Sequence, residues 1–263
     1  MPKTRRRVPS LVAVASLAAA TLVGVAPAQA AGIWQPHVDP TFKWQWQITG
    51  TVDTNVTPAA MYDIDEQDAV PTTQTVTSGL GLGKSTWSKG PNATAIATLH
   101  GKNKIVICYL DSGAWESYRP DASLFPASVK GNSTGWSGER WLDIRSPAWP
   151  NFAPLIWARM DLAKKIGCDG IEPDQNNPIG NNPGFPITLA DQKAWYLEVA
   201  RQAHIRGLSV TVESIETGAQ LIRLRRLGCD TGQGWLFAPA VHPEDIPGLV
   251  HAPSWSMDPS PPH

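Results

Sequence analysis

Residues 152–174 read FAPLIWARMDLAKKIGCDGIEPD, and this stretch holds the pattern that decides the fold. An amphipathic, helix-like segment ends at Gly167, and a strand-like segment follows at once. Glycine is common just past a helix, because it adopts the left-handed conformation that turns the chain. The stretch therefore predicts a helix followed directly by a strand that ends in two acids, Glu172 and Asp174.

The same pattern occurs twice more along the chain. LADQKAWYLEVARQAHIRG (189–207) precedes LSVTVES (208–214), and GAQLIRLRRLG (218–228) precedes CDTGQGWLF (229–237). Upstream strand candidates are FKWQWQI (42–48), AAMYDID (59–65), KIVICYL (104–110) and RWLDI (140–144). Strands alternating with helices indicate an α/β fold with a parallel sheet. Seven candidates favour a (β/α)8 TIM-like barrel, and no Gly-rich phosphate motif supports a doubly wound sheet.

The chain begins with a targeting pattern. A basic segment, MPKTRRRVPS, precedes an apolar run and the small-residue sequence Ala28-Gln29-Ala30. We predict that residues 1–30 are a removed signal peptide and that the protein is secreted; an uncleaved membrane anchor is the alternative. Residues 31–250 are predicted to form one barrel domain, and the Pro-rich tail 251–263 is predicted to be disordered.

Composition limits the partners. The formal net charge of −1 gives no basic surface for nucleic acid or an anionic membrane. We therefore expect no nucleic-acid partner, no stable membrane association after signal cleavage, and a monomer. The 12 Trp residues serve either core packing or stacking on sugar rings.

Three cysteines remain in the exported chain: Cys108, Cys168 and Cys229. Their spacing fits no zinc pattern, and export permits disulfides. If KIVICYL and CDGIEPD are neighbouring strands, we expect a bridge between Cys108 and Cys168.

Acidic residues gather at the carboxyl ends of the strand candidates, where barrel enzymes carry their chemistry. They are Asp63, Asp65, Asp111, Glu172, Asp174 and Glu213. Side chains alternate along a strand, so Glu172 and Asp174 share one face. Cleavage of a glycosidic bond uses one carboxylic acid and one carboxylate in this way. The alternative is that these acids accept hydrogen bonds from loop amides. No histidine lies at these strand ends, so we expect no metal site there.

Several ordered motifs resemble those of the family-114 glycoside hydrolases, secreted barrel enzymes described as endo-α-1,4-polygalactosaminidases. The motifs are WQWQITG (44–50), YDIDEQD (62–68), VICYLDSGAWESYRPD (106–121), GERWLDIR (138–145), GCDGIEPDQNN (167–177) and NPGFPITLADQ (182–192). The resemblance covers about residues 44–210. It implies a secreted glycoside hydrolase that cleaves α-1,4-linked galactosamine polysaccharide without a cofactor.

The resemblance places Asp174 at the catalytic acidic position of the family, with Glu172 in place of a nearby Asp. The residues expected at the substrate cleft are Asp65, Tyr109, Glu116, Arg119, Trp141 and Asn176. The strand that supplies the second catalytic carboxylate of the family is absent after residue 210. Glu172 and Glu213 are the candidates to replace it.

Residues 211–250 instead resemble the C-terminal end of EAL-type cyclic-di-GMP phosphodiesterase domains, with Glu213, Glu216, Gln233 and Gly234 at matching positions. The metal ligands and the catalytic Lys segment of those domains are missing. The barrel is therefore expected to be incomplete or chimeric at its C-terminal end. Two alternative functions follow: a carbohydrate-binding remnant without the second acid, and a fragment of a phosphodiesterase.

Overall fold

A computed structural model describes residue 33 and residues 44–56, 59–234 and 236. Its strands are β1 Trp44–Gln47, β2 Met61–Asp65, β3 Gln74–Ser78, β4 Gly83–Trp87, β5 Ile105–Asp111, β6 Ala114–Glu116, β7 Lys130–Ser133, β8 Glu139–Leu142, β9 Gly170–Asp174, β10 Ser209–Val212 and β11 Thr231–Gly232. Its α-helices are α1 Ala95–His100, α2 Ala153–Ile166, α3 Leu189–His204 and α4 Gly218–Arg226. The expected signal peptide and the expected disordered tail lie outside the described residues.

The main sheet has six strands in the order β1-β2-β5-β9-β10-β11, and every neighbouring pair is parallel. Strands in chain order, with a helix between each neighbouring pair from β2 onward, form the arrangement of a (β/α) barrel. A closed barrel has eight strands. The described residues supply no strand between β1 and β11, so this part of the chain forms an incomplete TIM-like barrel.

One strand candidate has a different role. RWLDI contributes β8, which pairs antiparallel with β6 and β7 in a separate small sheet that follows β5. A second small unit is the hairpin of β3 and β4. Both small antiparallel units lie in connections between strands of the main sheet, where barrel proteins carry their loops. The prediction that RWLDI adds to the barrel sheet is therefore wrong.

The core lies between the outer face of the sheet and the helices. Alternate side chains on the strands, such as Ile64, Val106, Ile171 and Val210, join one buried apolar cluster. The other side chains face inward and are largely polar. Two-residue alternation along each strand thus separates an apolar outer face, which stabilises the fold, from a polar inner face.

None of the helices in the described part of the chain is both long enough and apolar enough to cross a bilayer.

The amino ends of β5 and β9 are fastened by a group that we call the clasp. The Oδ2 atom of Asp169 accepts the Val106 backbone N–H at 2.8 Å and lies 3.0 Å from Nε2 of His100, the last residue of α1. The Asp169 N–H donates in turn to Val106 O at 2.8 Å. Gly167 has a φ of 105° and passes close to His100, so the turn requires glycine.

A second clasp fastens β10 and β11 with the same residue types. Asp230 Oδ2 accepts the Val210 N–H at 2.8 Å and lies 2.8 Å from Nε2 of His204, the last residue of α3. Gly228 has a φ of 91° and passes close to His204. The sequence Gly-Cys-Asp therefore performs the same structural task at 167–169 and at 228–230.

The cysteine of the first clasp forms a disulfide. Cys108 and Cys168 are joined, with their Cα atoms 5.9 Å apart. In the strand register, Gly170 is the partner of Ile107. Cys168 is thus two residues before one member of this pair, and Cys108 is one residue after the other. The bridge ties the loop that enters β9 to its neighbouring strand.

The geometry of the second clasp predicts that a second disulfide can be introduced there by one substitution. Thr231 is the partner of Thr211, so Cys229 and Val212 occupy the positions equivalent to Cys168 and Cys108. Cys229 has no disulfide. We expect Val212→Cys to bond with Cys229 and to raise the free energy of unfolding by about 3 kcal/mol, the value for a closed loop of similar length. Thiol titration with and without reductant, together with urea unfolding, measures both effects.

Val212→Cys combined with Cys229→Ser is the control, since it keeps the side-chain change and removes the bond. Two free thiols in oxidised Val212→Cys protein would show that the two clasps are not equivalent.

Candidate active site

The inner face of the sheet brings the strand-end acids together. Tyr109 of β5 is paired in register with Asp65 of β2 on one side and with Glu172 of β9 on the other. One step further along the strands, Asp111 is paired with Asp174. Because the strands are parallel, all these side chains lie at the same end of the sheet.

The floor of this cleft lies at Gly170. A Cβ atom added there would clash with Ser209 Oγ and would lie 2.8 Å from Ile107 Cδ1. Because Gly170 has no side chain, the side chains of Ser209 and Ile107 occupy the inner face of the sheet at this level. The space for a ligand is therefore above Gly170, at the level of the acids.

Glu172 and Asp63 form a buried carboxyl pair. Glu172 is 1% exposed, and its Oε2 accepts an N–H from Trp46 Nε1 at 3.2 Å. Asp63 is also buried, and among the described residues no backbone N–H, amide, guanidinium or hydroxyl group donates to either of its oxygens. Asp63 lies within hydrogen-bonding reach of Glu172, and two carboxyl groups can bond only through a proton.

Glu172 therefore holds a proton at neutral pH. Burial, the charge of Asp63 and the contact with Glu213 raise the pKa of Glu172 to about 12, and the Trp46 hydrogen bond opposes this shift. Burial also raises the pKa of Asp63 well above its usual range, and its hydrogen bond with Glu172 acts in the opposite direction. A neutral carboxylic acid inside a barrel is a proton donor of the kind that glycosidases use.

Glu213 lies beside this pair, just past the end of β10. It is exposed, it is within hydrogen-bonding reach of Glu172, and one of its oxygens accepts a hydrogen bond from Gln233 Nε2. Both Glu213 and Gln233 belong to the segment beyond residue 210. That segment thus supplies a carboxylate to the cleft, next to Glu172.

The raised pKa of Glu172 predicts a dependence of stability on pH. The folded protein holds this proton more tightly than the unfolded chain does. The protonated Glu172 therefore makes its full contribution to the free energy of unfolding below pH 4.5, and that contribution is lost as the pH rises toward about 12. We expect the free energy of unfolding to decrease from pH 6 to pH 9, by up to about 1.4 kcal/mol per pH unit from this group. Glu172→Gln should make that slope clearly shallower in urea unfolding.

Glu198→Gln is the matched control for that slope. Hydrogen bonds from Arg201 lower the pKa of Glu198, so this glutamate is ionised throughout the same pH range. An unchanged slope in Glu172→Gln would show that Glu172 is ionised in the folded protein.

Asp174 lies at the mouth of the cleft with two donors. Its Oδ2 accepts the Tyr109 hydroxyl at 3.0 Å, and its Oδ1 accepts the Gln175 N–H at 2.6 Å. The Tyr109 oxygen is also 3.4 Å from Asp111 Oδ1. Gln175 has a φ of 55°, which is strained for a residue with a side chain. This turn holds Asp174 as an acceptor at the entrance.

Asp65, Glu116 and Arg119 belong to a buried ionic network. Arg119 donates to both Asp65 oxygens at 3.0 and 2.7 Å and to Glu116 Oε1 at 2.7 Å. Arg159 of α2 donates to Glu116 Oε2 at 2.8 Å and to both Asp121 oxygens at 2.9 Å. The sequence reasoning missed Arg159 and Asp121. An arginine within the buried face of α2 was the available signal, because such a charge needs a partner.

Trp141 and Asn176 have packing roles. Trp141 is 2% exposed and lies among the buried core residues, so its ring presents no free face on which a sugar could stack. The Asn176 amide donates to Pro173 O at 2.5 Å, and its oxygen accepts from Ser112 Oγ at 2.5 Å and from Trp195 Nε1 at 3.1 Å. We therefore assign Asn176 to holding the loop after Asp174 rather than to contact with substrate.

The fold and the site together define a class of enzyme. An α/β barrel sheet carries a protonated, buried glutamic acid and a hydrogen-bonded aspartate on the same strand, at the end where barrel enzymes act. This pairing of a carboxylic acid with a carboxylate is that of a glycoside hydrolase.

Comparison with known proteins identifies the family. The chain belongs to glycoside-hydrolase family GH114, whose sequence profile matches residues 24–216. A polysaccharide substrate follows from this membership. No curated protein sequence matches the chain.

Solved structures extend the comparison. The crystal structure of Aspergillus fumigatus Ega3 in complex with galactosamine is 27% identical in sequence, with a TM-score of 0.59 over 76% of this chain and 68% of that chain. The glycoside hydrolase domain of PelA from Pseudomonas aeruginosa is 11% identical, with a TM-score of 0.43 over 65% of this chain and 58% of that chain, which is too distant to inform the site.

The profile match ends at residue 216, so most of the segment 211–250 lies beyond it. The resemblance of that segment to EAL-type domains is not confirmed and stays a prediction.

Proposed function

We propose that the mature protein is a secreted glycoside hydrolase that cleaves α-1,4-linked galactosamine polysaccharide. The observation that carries this proposal is the neutral Glu172 two residues before the acceptor Asp174, in a chain similar to a protein solved with galactosamine. An acidic cleft also suits a cationic polymer, because opposite charge raises its local concentration.

The two carboxyl groups take different roles. Glu172 donates its proton to the glycosidic oxygen as the bond to the leaving sugar breaks. Asp174 faces the positive charge that develops at the anomeric carbon and stabilises it or bonds to it. Tyr109 holds Asp174 in place through the hydroxyl hydrogen bond. Glu213 is the alternative donor, since it contacts Glu172 and is exposed.

The direct test is to incubate the purified protein with α-1,4-linked galactosamine polymer and to measure new reducing ends. We expect their number to rise with time and with enzyme concentration. Binding of the polymer without new ends would favour the carbohydrate-binding remnant. Metal-dependent hydrolysis of cyclic-di-GMP would favour the phosphodiesterase fragment.

Two isosteric variants separate the candidate acids. Glu172→Gln should lower the rate of polymer cleavage by about 10²-fold or more, which is the range for a general acid. An aryl galactosaminide with a good leaving group needs little protonation, so Glu172→Gln should cleave it at close to the normal rate. Glu213→Gln should lower the polymer rate less than Glu172→Gln does.

A larger loss in Glu213→Gln, with recovery on the aryl substrate, would transfer the donor role to Glu213. Initial rates on both substrates at one pH distinguish these outcomes.

Secretion is part of the proposal, supported by the basic and apolar segments that precede Ala30. The exported protein should begin at Ala31, which N-terminal sequencing of the culture medium tests. An intact N-terminus in the membrane fraction would indicate an anchor instead.

A further inference from the structure

Three carboxylates crowd together beside Asp174. Single oxygens of Asp111, Glu116 and Glu139 lie within 4.8 Å of one another. Glu116 and Glu139 are also direct cross-strand partners in β6 and β8, an arrangement that costs stability when both are charged. A cluster of this kind requires positive charge nearby.

Among the described residues, Glu116 is the only one of the three that forms an ion pair, although the charge of Arg119 also acts on Asp111 and opposes the rise of its pKa. The two oxygens of Glu116 are each bonded to an arginine, Arg119 on one side and Arg159 on the other. Arg159 also approaches Asp111, but it donates to the backbone oxygen, at 3.2 Å, and not to the carboxylate.

Asp111 has an oxygen with no partner. The residue is fully buried, and among the described residues its Oδ2 accepts no hydrogen bond. Its Oδ1 has one long contact, 3.4 Å from the Tyr109 hydroxyl. Burial, followed by the charges of Glu116, Asp174 and Glu139, raises the pKa of Asp111 well above its usual range. Buried carboxyl oxygens are normally hydrogen-bonded, so Asp111 Oδ2 is a position where a cationic donor is missing.

Among the described residues, the hydrogen-bond donors to Glu139 are neutral hydroxyls. Oε1 accepts from Tyr118 at 3.0 Å, and Oε2 accepts from Thr134 Oγ1 at 3.2 Å. Two exposed aromatic residues are close to Glu139. Tyr118, whose hydroxyl donates to the carboxylate, is 56% exposed, and Trp136, whose backbone oxygen accepts the Glu139 N–H, is 68% exposed. Exposed aromatic residues next to a carboxylate match an amino sugar, which has an apolar ring face and a positive amine.

We propose that Asp111 and Glu139 form a subsite for the ammonium group of an amino sugar, and that Trp136 and Tyr118 contact its ring. The proposal rests on the proposed function and names the residues that select the free amine. An ammonium group has three N–H donors and no acceptor, which satisfies Asp111 Oδ2 and adds the missing charge. An N-acetyl group has one N–H and no charge, so it leaves the acids uncompensated.

The test is isothermal titration of the protein with galactosamine, N-acetylgalactosamine and galactose. We expect galactosamine to bind at least tenfold more tightly than the two neutral sugars. Asp111→Asn and Glu139→Gln should each remove most of that difference and leave galactose affinity unchanged. Trp136→Ala should weaken galactosamine and galactose alike, and Glu198→Gln, on the outer helix α3, should change nothing.

The outcomes separate this inference from the proposed function. Cleavage of the polymer without preference for galactosamine would overturn the subsite and leave the function intact. Preference for galactosamine without cleavage would support the subsite and remove the function. Titration with calcium chloride tests whether the cluster binds a metal ion instead. Calcium binding that is abolished by both Asp111→Asn and Glu139→Gln, in a protein with no preference for galactosamine, would overturn the subsite in favour of a metal site. Glu139 is only partly buried, so Glu139→Gln decides the matter if Asp111→Asn does not fold.

Discussion

Asp174→Asn is expected to lower the rate of polymer cleavage by on the order of 10³-fold, the largest loss for any single substitution in the cleft. The amide keeps the shape of the side chain, but it loses the negative charge that faces the anomeric carbon. One amide oxygen remains to accept from Tyr109 or Gln175, so the fold should be preserved. Reducing-end assays measure the rate, and thermal unfolding confirms the folded state.

Asp161→Asn is the matched control, since Asp161 is an exposed aspartate of α2 that pairs with Arg206. It should cleave at the normal rate. A variant Asp174→Asn that is folded and retains a tenth or more of the rate would remove Asp174 from the mechanism.

Arg159→Leu is expected to cause the largest loss of stability, about 3–5 kcal/mol, which is the cost of removing one partner from a buried ion pair. Arg159 is 1% exposed and neutralises Glu116 and Asp121, both buried. Leucine leaves Asp121 in the interior without its cation, and it leaves Glu116 with Arg119 alone. The free energy of unfolding in urea measures the loss.

Arg206→Leu provides the comparison, because Arg206 pairs with an exposed aspartate and such pairs contribute only about 0–1 kcal/mol. A loss below 1 kcal/mol in Arg159→Leu would mean that Asp121 is protonated or hydrated once its cation is removed.

Local rules were sufficient where the chain repeats a simple pattern. The alternation of side chains in CDGIEPD predicts that Glu172 and Asp174 share one inward face. Gly167 and Gly228, each just after a helix-like segment, are predicted to turn the chain, and both have positive φ. These features depend on neighbours in sequence, which is why the sequence predicts the parallel sheet.

Features that depend on distant partners could not be predicted in the same way. RWLDI has the composition of a barrel strand, yet it contributes β8, which pairs with β6 and β7. These two strands lie between β5 and β8 in the chain, and together the three form the small sheet after β5. The pairing of Asp63 with Glu172 depends on two strands with β5 between them. Sequence spacing also gave no sign that the Asn176 oxygen accepts hydrogen bonds from Ser112, after β5, and from Trp195, in α3.

The two clasps have a consequence for how such a chain evolves. Each one joins a helix, a Gly-Cys-Asp turn and a neighbouring strand through local contacts at the amino ends of the strands. The carboxylates of the cleft lie at the opposite ends. Substitutions at the carboxyl ends of the strands therefore leave these contacts in place, so the acids of the cleft can vary separately from the contacts that join each helix to its sheet.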